Sequence, residues 1–351
     1  QTSLCYKKLS MSKKNSSVIL KNRFKDNKVL SNVFLDFTEK INLFNKKKYL
    51  VAVSGGPDSL ALVALTKAYN FYYKTNFYYI LVDHNIRKNS NKEAQKVKKI
   101  LKKKNINLRI FLNKNKITKN LQSEARSVRY NILSDYCIKN DIKAILTAHN
   151  LEDQVETFFI RLSRGSGLKG LSAMKTISKI NSQISLYRPL LNIKKQLLIK
   201  ISKNIFGDYI KDPSNRNTKY LRTKVRRLKK PLEKSGIKYE QIFKSIQNLS
   251  SSKITLEKYF SKIFKELIVK VNKEILINVK KYKDLSNDTK MALINESIKR
   301  LKYNYYDLRS KKVDNLIKNL NKSNFKKSTL GGCIFSKKGQ NICIKIEKFK
   351  L

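Results

Sequence analysis

From residue 49 to residue 147 the chain alternates short β-branched runs with longer stretches whose apolar residues recur every three or four positions. The pattern predicts strands at 49–53, 77–82, 108–112 and 142–147, separated by helices at 59–69, 91–104 and 121–139. Ser90 with Glu93 reads as a capping box for the second of these helices, where Ala94, Val97, Ile100 and Leu101 form the inward stripe. Such alternation implies a parallel sheet with helices on both faces, and in such sheets ligands gather at the carboxyl ends of the strands. An amphipathic segment, 33–44, precedes the first strand. After the fourth, Leu151, Val155, Phe158, Phe159 and Leu162 make one helical stripe, with Asp153 and Glu156 on the opposite side, ~60° apart. A strand-like segment closes at Tyr187-Arg188-Pro189, and a helix is expected at 193–205.

Beyond Lys230 the texture changes to lysine-rich amphipathic helices, at 239–248 and 254–268, which sets a domain boundary near 230–240. A strand at 274–279, helices near 288–301 and 310–321, and a β-hairpin over 328–346 turning on glycines complete the pattern. The expected organisation is therefore an N-terminal tail (1–30), an α/β domain with a parallel twisted sheet flanked by helices (31–235), and a smaller basic α+β region (236–351).

The polar residues fall where the sheet would present them. Ser54-Gly55-Gly56-Pro57-Asp58-Ser59 follows the first strand and opens a helix. Its glycines admit close backbone approach, Pro57 suits a first helical turn, and Ser54 and Ser59 add hydroxyl donors, so the corner is a phosphate cradle. No lysine completes a Walker A loop. Asp58 would repel a phosphate unless it held Mg²⁺ between them or gripped a nucleophile. The second strand ends in Asp83-His84 with Arg87 close behind, and the fourth in His149-Asn150. Asp153 and Glu156, one turn apart beside a nucleotide site, could hold Mg²⁺ or a cationic amine. Arg126 and Arg129 share a helix face that suits phosphate or a surface ion pair. Asp212-Pro213-Ser214-Asn215 is a turn, and Lys219, Arg222, Arg226 and Lys230 follow at helical spacing as a phosphate-facing edge or a solvated basic face.

Composition adds a partner. Lys and Arg total 78 against 25 Asp and Glu, a formal charge of +53, with 41% hydrophobic residues. The chain is globular, and self-repulsion on that scale suits a polyanion, of which nucleic acid is the commonest. Four scattered cysteines and two histidines make neither a disulfide framework nor a zinc site, which points to a reducing cytoplasm. No apolar run approaches the ~20 residues of a membrane span, and residues 1–30 lack a signal-peptide core. Met11 offers an alternative start.

Residues 54–59 resemble the signature of the PP-loop (N-type) ATP pyrophosphatase superfamily. The ordered set of Ser-Gly-Gly-Pro-Asp-Ser at 54–59, Val-Asp-His at 82–84, Glu-Ala-Arg-x-x-Arg-Tyr at 124–130, Ala-His-Asn-x-x-Asp-Gln-x-Glu-Thr at 148–157 and Arg-Gly-Ser-Gly at 164–167 resembles the tRNA(Ile)-lysidine synthase family. Gly170-Leu171, Tyr187-Arg-Pro-Leu190 and 212–215 extend that likeness over about residues 45–230, and Thr-Leu-Gly-Gly-Cys at 329–333 is similar to the family's C-terminal module. The departures are Asn85-Ile86 in place of Gly-Leu, and Thr223 in place of the family's frequent Asn.

The resemblance implies an ATP-dependent ligase that adenylates a wobble cytidine and then attaches lysine. It assigns Ser54 to Ser59, Asp83, His84, His149 and Asn150 to ATP. It assigns Asp58, Arg126, Arg129 and Arg222 to catalysis, with Asp58 also a candidate Mg²⁺ ligand, and Asp153 and Glu156 to the lysine ammonium. Arg222, Arg226, Lys229 and Lys230 fall to tRNA. A minor isoleucine tRNA with a CAU anticodon and free lysine are the implied partners, no membrane is involved, and a homodimer is compatible. The alternatives are a tRNA thiolation enzyme of the same superfamily and a non-catalytic RNA-binding protein.

Overall fold

The computed structural model describes residues 24, 27–86, 89–113, 115, 121–210, 220–302, 308, 310–322 and 324–347. Residues 1–23, 25 and 26 of the expected N-terminal tail, Arg87, the 212–215 turn and Lys219 lie outside them, while Lys28–Leu30, given to that tail, open a helix. The chain divides into two compact units, Gln1–Leu249 and Ser250–Leu351. Composition had suggested a boundary near 230–240, where the structure has the turn at Ser235-Gly236.

In the first unit the order is α1 (Lys28–Phe44), β1 (Lys48–Val53), α2 (Pro57–Tyr69), β2 (Asn76–Asp83), α3 (Ser90–Lys102), β3 (Leu108–Leu112), α4 (Leu121–Lys139), β4 (Ala144–Leu146), α5 (Leu151–Leu162), α6 (Leu168–Leu171), β5 (Ile177–Lys179), β6 (Ser185–Tyr187), α7 (Lys195–Phe206), α8 (Leu221–Arg227) and α9 (Lys229–Lys234). The six strands lie in the order β3-β2-β1-β4-β6-β5, parallel except for the β5–β6 pair. Both faces are covered, so successive residues of β1 serve different cores. Tyr49, Val51 and Val53 join α1, α2, α3 and α7, while Leu50 packs with Ile80, Leu133 and Ile145 under α4. Helix α2 is buried all round from Leu60 to Leu65, as expected of a helix caught between a sheet and another helix.

The strand order fixes where a ligand can sit. The chain steps from β1 outward to β2 and β3, then returns to the other side of β1 to place β4. The carboxyl ends of β1 and β4 therefore flank the point where the winding reverses, the crevice in which open α/β sheets bind ligands.

The second unit comprises most of α10 (Tyr239–Leu267), β7 (Val269–Val271), β8 (Glu274–Asn278), α11 (Val279–Lys283), α12 (Asn287–Leu301), α13 (Ser310–Leu320), β9 (Lys327–Leu330), β10 (Cys333–Lys338) and β11 (Asn341–Ile346). Its sheet is antiparallel, ordered β7-β8-β11-β10-β9, and its core includes Ile275, Ile277, Phe335 and Ile344 against Leu293, Ile298 and Val313.

Three expectations change. The helices expected at 239–248 and 254–268 are one helix, because the Ser250–Ser252 run carries neither Gly nor Pro to break it. The C-terminal hairpin is a three-stranded meander, with β9 and β10 joined through Gly331 and Gly332, both left-handed. The residue capping α3 is Asn89, without a side-chain cap bond, so the Ser90–Glu93 capping box does not form.

Candidate active site

The corner between β1 and α2 is built from its own residues. Gly55 has φ +80° and is buried, and a Cβ there would lie 2.5 Å from Val97 Cγ2. Only glycine fits. The Gly55 carbonyl accepts the Ile210 N–H at 2.9 Å, tying the corner to the chain after α7. The Ser54 N–H donates to Ser59 Oγ at 3.2 Å, and that hydroxyl donates to the Gly56 carbonyl at 2.9 Å. Pro57 occupies the first turn of α2 behind Gly56, so the helix begins with unsatisfied N–H groups at the crevice.

Asp58 stands in that first turn. Burial pushes its carboxyl up to about 6, and the neighbouring Asp153 and Glu152 charges add to the rise, while Lys195 opposes it. One oxygen, Oδ2, lies 3.5 Å from Lys195 Nζ, and the other, Oδ1, is buried without a hydrogen-bond partner. A carboxylate oxygen of that kind suits a Mg²⁺ ion that completes its shell with water and substrate phosphates. No group of three or more His, Cys, Asp or Glu side chains among the described residues forms an all-protein cage for a metal.

On the β4 side, Asn150 caps α5. Its side chain accepts from the Asp153 N–H at 3.0 Å, and Asp153 Oδ2 accepts from the Asn150 N–H at 3.1 Å, a reciprocal capping box. The Asn-x-x-Asp spacing is the sequence signal for it, although the sequence reading assigns Asn150 to ATP and Asp153 to Mg²⁺ or a cationic amine. Glu156, on the side of the helix opposite the apolar stripe, is itself sealed from water: its side chain is 2% exposed. Burial is made tolerable by two guanidinium groups. Arg222 Nε donates to Glu156 Oε2 at 2.8 Å and Arg226 Nε to Oε1 at 2.7 Å, with a second Arg226 bond at 3.1 Å. Arg222 also reaches Asp153 Oδ1 at 3.1 Å. The pair expected to receive a cationic amine is thus held by the chain's own arginines.

The same bonds place the basic stripe. Arg222 and Arg226 turn inward, and Lys229 pairs with Glu152 at 3.2 Å and lies over the Tyr239 ring, leaving Lys230 exposed at the surface. Sequence reasoning missed Glu152 and Lys195. Glu152 is buried, and its Oε2 accepts the Lys195 N–H at 2.9 Å, which fixes the start of α7 beside the loop. No local pattern marks either residue, because their partners lie far along the chain.

The two histidines sit at the strand tips as expected. Burial, followed by nearby Arg188, Arg126, Arg222 and Arg129, drives His149 down to about 3, and Thr147 Oγ1 meets its Nδ1 at 2.9 Å. His84 is lowered to about 4 by burial and by Arg129, whose guanidinium contacts its Nε2 at 3.2 and 3.3 Å. Arg126 stacks over Tyr130 at 5.0 Å. A neutral imidazole within the field of four guanidinium groups gives this side of the crevice a positive potential that suits an anion. Asp83 is buried, and one of its oxygens accepts the Asn85 N–H at 2.9 Å. Asn85 has φ +53°, which accounts for its departure from glycine, since asparagine is the residue that best tolerates that region after glycine. Thr223 is buried within α8.

The PP-loop domain family matches residues 27–232. The chain is 33% identical over 306 residues to a tRNA(Ile)-lysidine synthase of Wolbachia pipientis wMel, covering 86% of this chain and 71% of that relative. It is 31% identical over 327 residues to the synthase of a Brugia malayi Wolbachia, covering 92% and 75%. It is 43% identical over 188 residues to the synthase of Orientia tsutsugamushi, covering 53% of this chain and spanning 42% of that relative's length. Among solved structures, a U34-tRNA thiolase from Methanococcus maripaludis superposes with a TM-score of 0.53 at 19% identity, over 63% of this chain and 80% of that one, a likeness of fold.

Proposed function

Because the chain belongs to the PP-loop family and, within it, to the tRNA(Ile)-lysidine synthases, we propose that it joins free lysine to carbon 2 of the wobble cytidine of a CAU-anticodon isoleucine tRNA at the cost of ATP. The observation that carries this reading is the meeting, at one crevice, of the phosphate loop after β1 and the carboxylate helix after β4.

In the first step the cytidine O2 attacks the α-phosphorus, the bond to the bridging oxygen breaks, and its electron pair leaves with pyrophosphate. The loop from Ser54 to Ser59 grips that leaving group through backbone N–H groups and hydroxyls. Arg126 and Arg129, with Arg222, offset charge on the α-phosphate. His84 and His149, neutral at pH 7, line the nucleotide pocket, while Asn150 and Asp83 act from behind by holding the backbone at the strand tips. Mg²⁺, held at Asp58, would neutralise phosphate charge. In the second step the lysine side-chain ammonium gives a proton to water, the amine attacks carbon 2, and AMP departs with the C–O electron pair. Asp153 and Glu156 hold the lysine through its ammonium, which exchanges with the guanidinium groups now there. Lys230 and the lysine-rich second unit supply a basic surface for the tRNA body, so that a loop base can be splayed into the crevice. The reaction belongs in the cytoplasm, where tRNA is; no helix among the described residues is long and apolar enough to cross a membrane.

The thiolation alternative is disfavoured by the cysteines among the described residues: Cys137, Cys333 and Cys343 are all buried, and burial pushes the Cys137 thiol up to about 12, away from thiolate chemistry. The test mixes protein, ATP, Mg²⁺ and radiolabelled lysine with CAU isoleucine tRNA or with methionine tRNA. Label entering only the former supports the reading; label entering neither, or both equally, overturns it.

A further inference from the structure

The loop at 54–59 lacks the lysine by which a Walker A loop meets the outer phosphates, yet the fold brings a lysine to it from elsewhere. We propose that Lys195, the first residue of α7, is a catalytic residue whose ammonium binds the β- and γ-phosphates of ATP and follows them as pyrophosphate leaves. This deepens the reading above and rests on it.

Three features of the crevice support the assignment. Lys195 Nζ lies 3.5 Å from Asp58 Oδ2, in the first turn of the helix that the loop opens. Its backbone is anchored, because the Lys195 N–H donates to the buried Glu152 carboxylate at 2.9 Å, so the side chain must leave α7 from a fixed point beside the loop. The other cations of the cluster are held closely elsewhere: Arg222 and Arg226 on Glu156 at 2.7–2.8 Å, and Lys229 on Glu152 at 3.2 Å. The Lys195–Asp58 contact is the longest of these, and the Lys195 side chain keeps 33% of its surface exposed. A lysine ammonium on a flexible four-carbon stem can pivot from such a contact to a phosphate oxygen at the loss of one long contact, whereas Arg222 and Arg226 must first give up short bonds to Glu156. When the α-phosphorus bond to the bridging oxygen breaks, the electron pair passes to pyrophosphate, and a cation there lowers the barrier.

The experiment measures equilibrium binding of ATP and of AMP, each with Mg²⁺ and without tRNA or lysine, to the full chain and to Lys195→Ala, Lys195→Arg and Asp58→Asn/Lys195→Ala. The expected result is at least a tenfold loss of ATP affinity in Lys195→Ala, with AMP affinity and melting temperature unchanged, and partial retention in Lys195→Arg. The double variant should stay weak for ATP. Equal losses for ATP and AMP, no loss at all, or recovery of ATP binding in the double variant would overturn the assignment, the last because Lys195 would then only neutralise Asp58. The lysine-incorporation assay on the unaltered protein reads the function separately: if it succeeds while Lys195→Ala binds ATP normally, only this inference falls. If Lys195 governs ATP affinity but no lysine reaches tRNA, the function reading falls instead.

Discussion

The crevice has two acidic banks, and they are held in opposite ways. On the helix bank, Glu156 is sealed from water and receives three charge-assisted hydrogen bonds from two arginines. On the loop bank, Asp58 is also crowded by burial, but one oxygen has a single long contact and the other has none. A saturated carboxylate is a structural fixture until something displaces its partners, while an undersatisfied one is held at a cost and is ready for an incoming ligand. The difference separates a bank that must release its own arginines before it can take substrate from a bank that is already open to it.

The sharpest way to break this contrast is Glu156→Gln. It leaves two partly buried guanidinium groups without their carboxylate, and it should destabilise the first unit by about 3–5 kcal/mol, read by denaturant unfolding. A loss below ~1 kcal/mol would mean that the arginines are as loosely held as a surface pair. Next in size is Gly55→Ala, where the new methyl would collide with Val97 in a left-handed backbone. That variant should lose about 2–3 kcal/mol and its ATP binding together. Gly56→Ala provides the control, since a Cβ there meets only Ser54 Oγ at 3.7 Å.

How much of this was legible beforehand follows from the range of the interactions. The corner at 54–59, the alternation that builds the sheet and the strand-tip histidines are local patterns, and the structure places them where the pattern puts them. The partners of Asp58, Glu152 and Glu156 come from residues 195, 229, 222 and 226, and nothing in a sequence window announces such pairings. The basic stripe on α8 was therefore read as a phosphate-facing edge or a solvated face, although its Arg222 and Arg226 pair with the carboxylates of α5. Strands β5 and β7, three residues each, are too short to carry a period and are fixed by their neighbours.

A smaller effect tests the loop bank. Because Asp58 titrates near 6 when folded and near the ordinary carboxylate value when unfolded, the folded state favours its protonated form. The stability it contributes is present below the unfolded value and is lost as pH rises through 6, so the ionised group is a burden at neutral pH. Asp58→Asn should therefore raise stability at pH 7–8 by on the order of 1 kcal/mol, the gain shrinking as pH falls towards 4, while pyrophosphate release disappears. Thermal melts of the two proteins across pH check this, and a gain that grows on acidification would reverse the assignment. The smallest effect concerns the cap of the helix bank: Asn150→Ala should cost about 1 kcal/mol in the same melts.

The guanidinium bonds carry one more consequence. In this chain lysine is the default cation, and an arginine stands out as the exception. Several described arginines make paired contacts: Arg226 forks onto Glu156, Arg222 spans Glu156 and Asp153, Arg161 bridges the Gly170 and Ala173 carbonyls, Arg188 spans the Lys175 carbonyl and Ser178, and Arg109 both bonds and covers Tyr136. Against such a lysine-saturated background, the letter R is a readable mark of fixed geometry, and an Arg→Lys exchange at these places keeps the charge while discarding the shape that the site depends on.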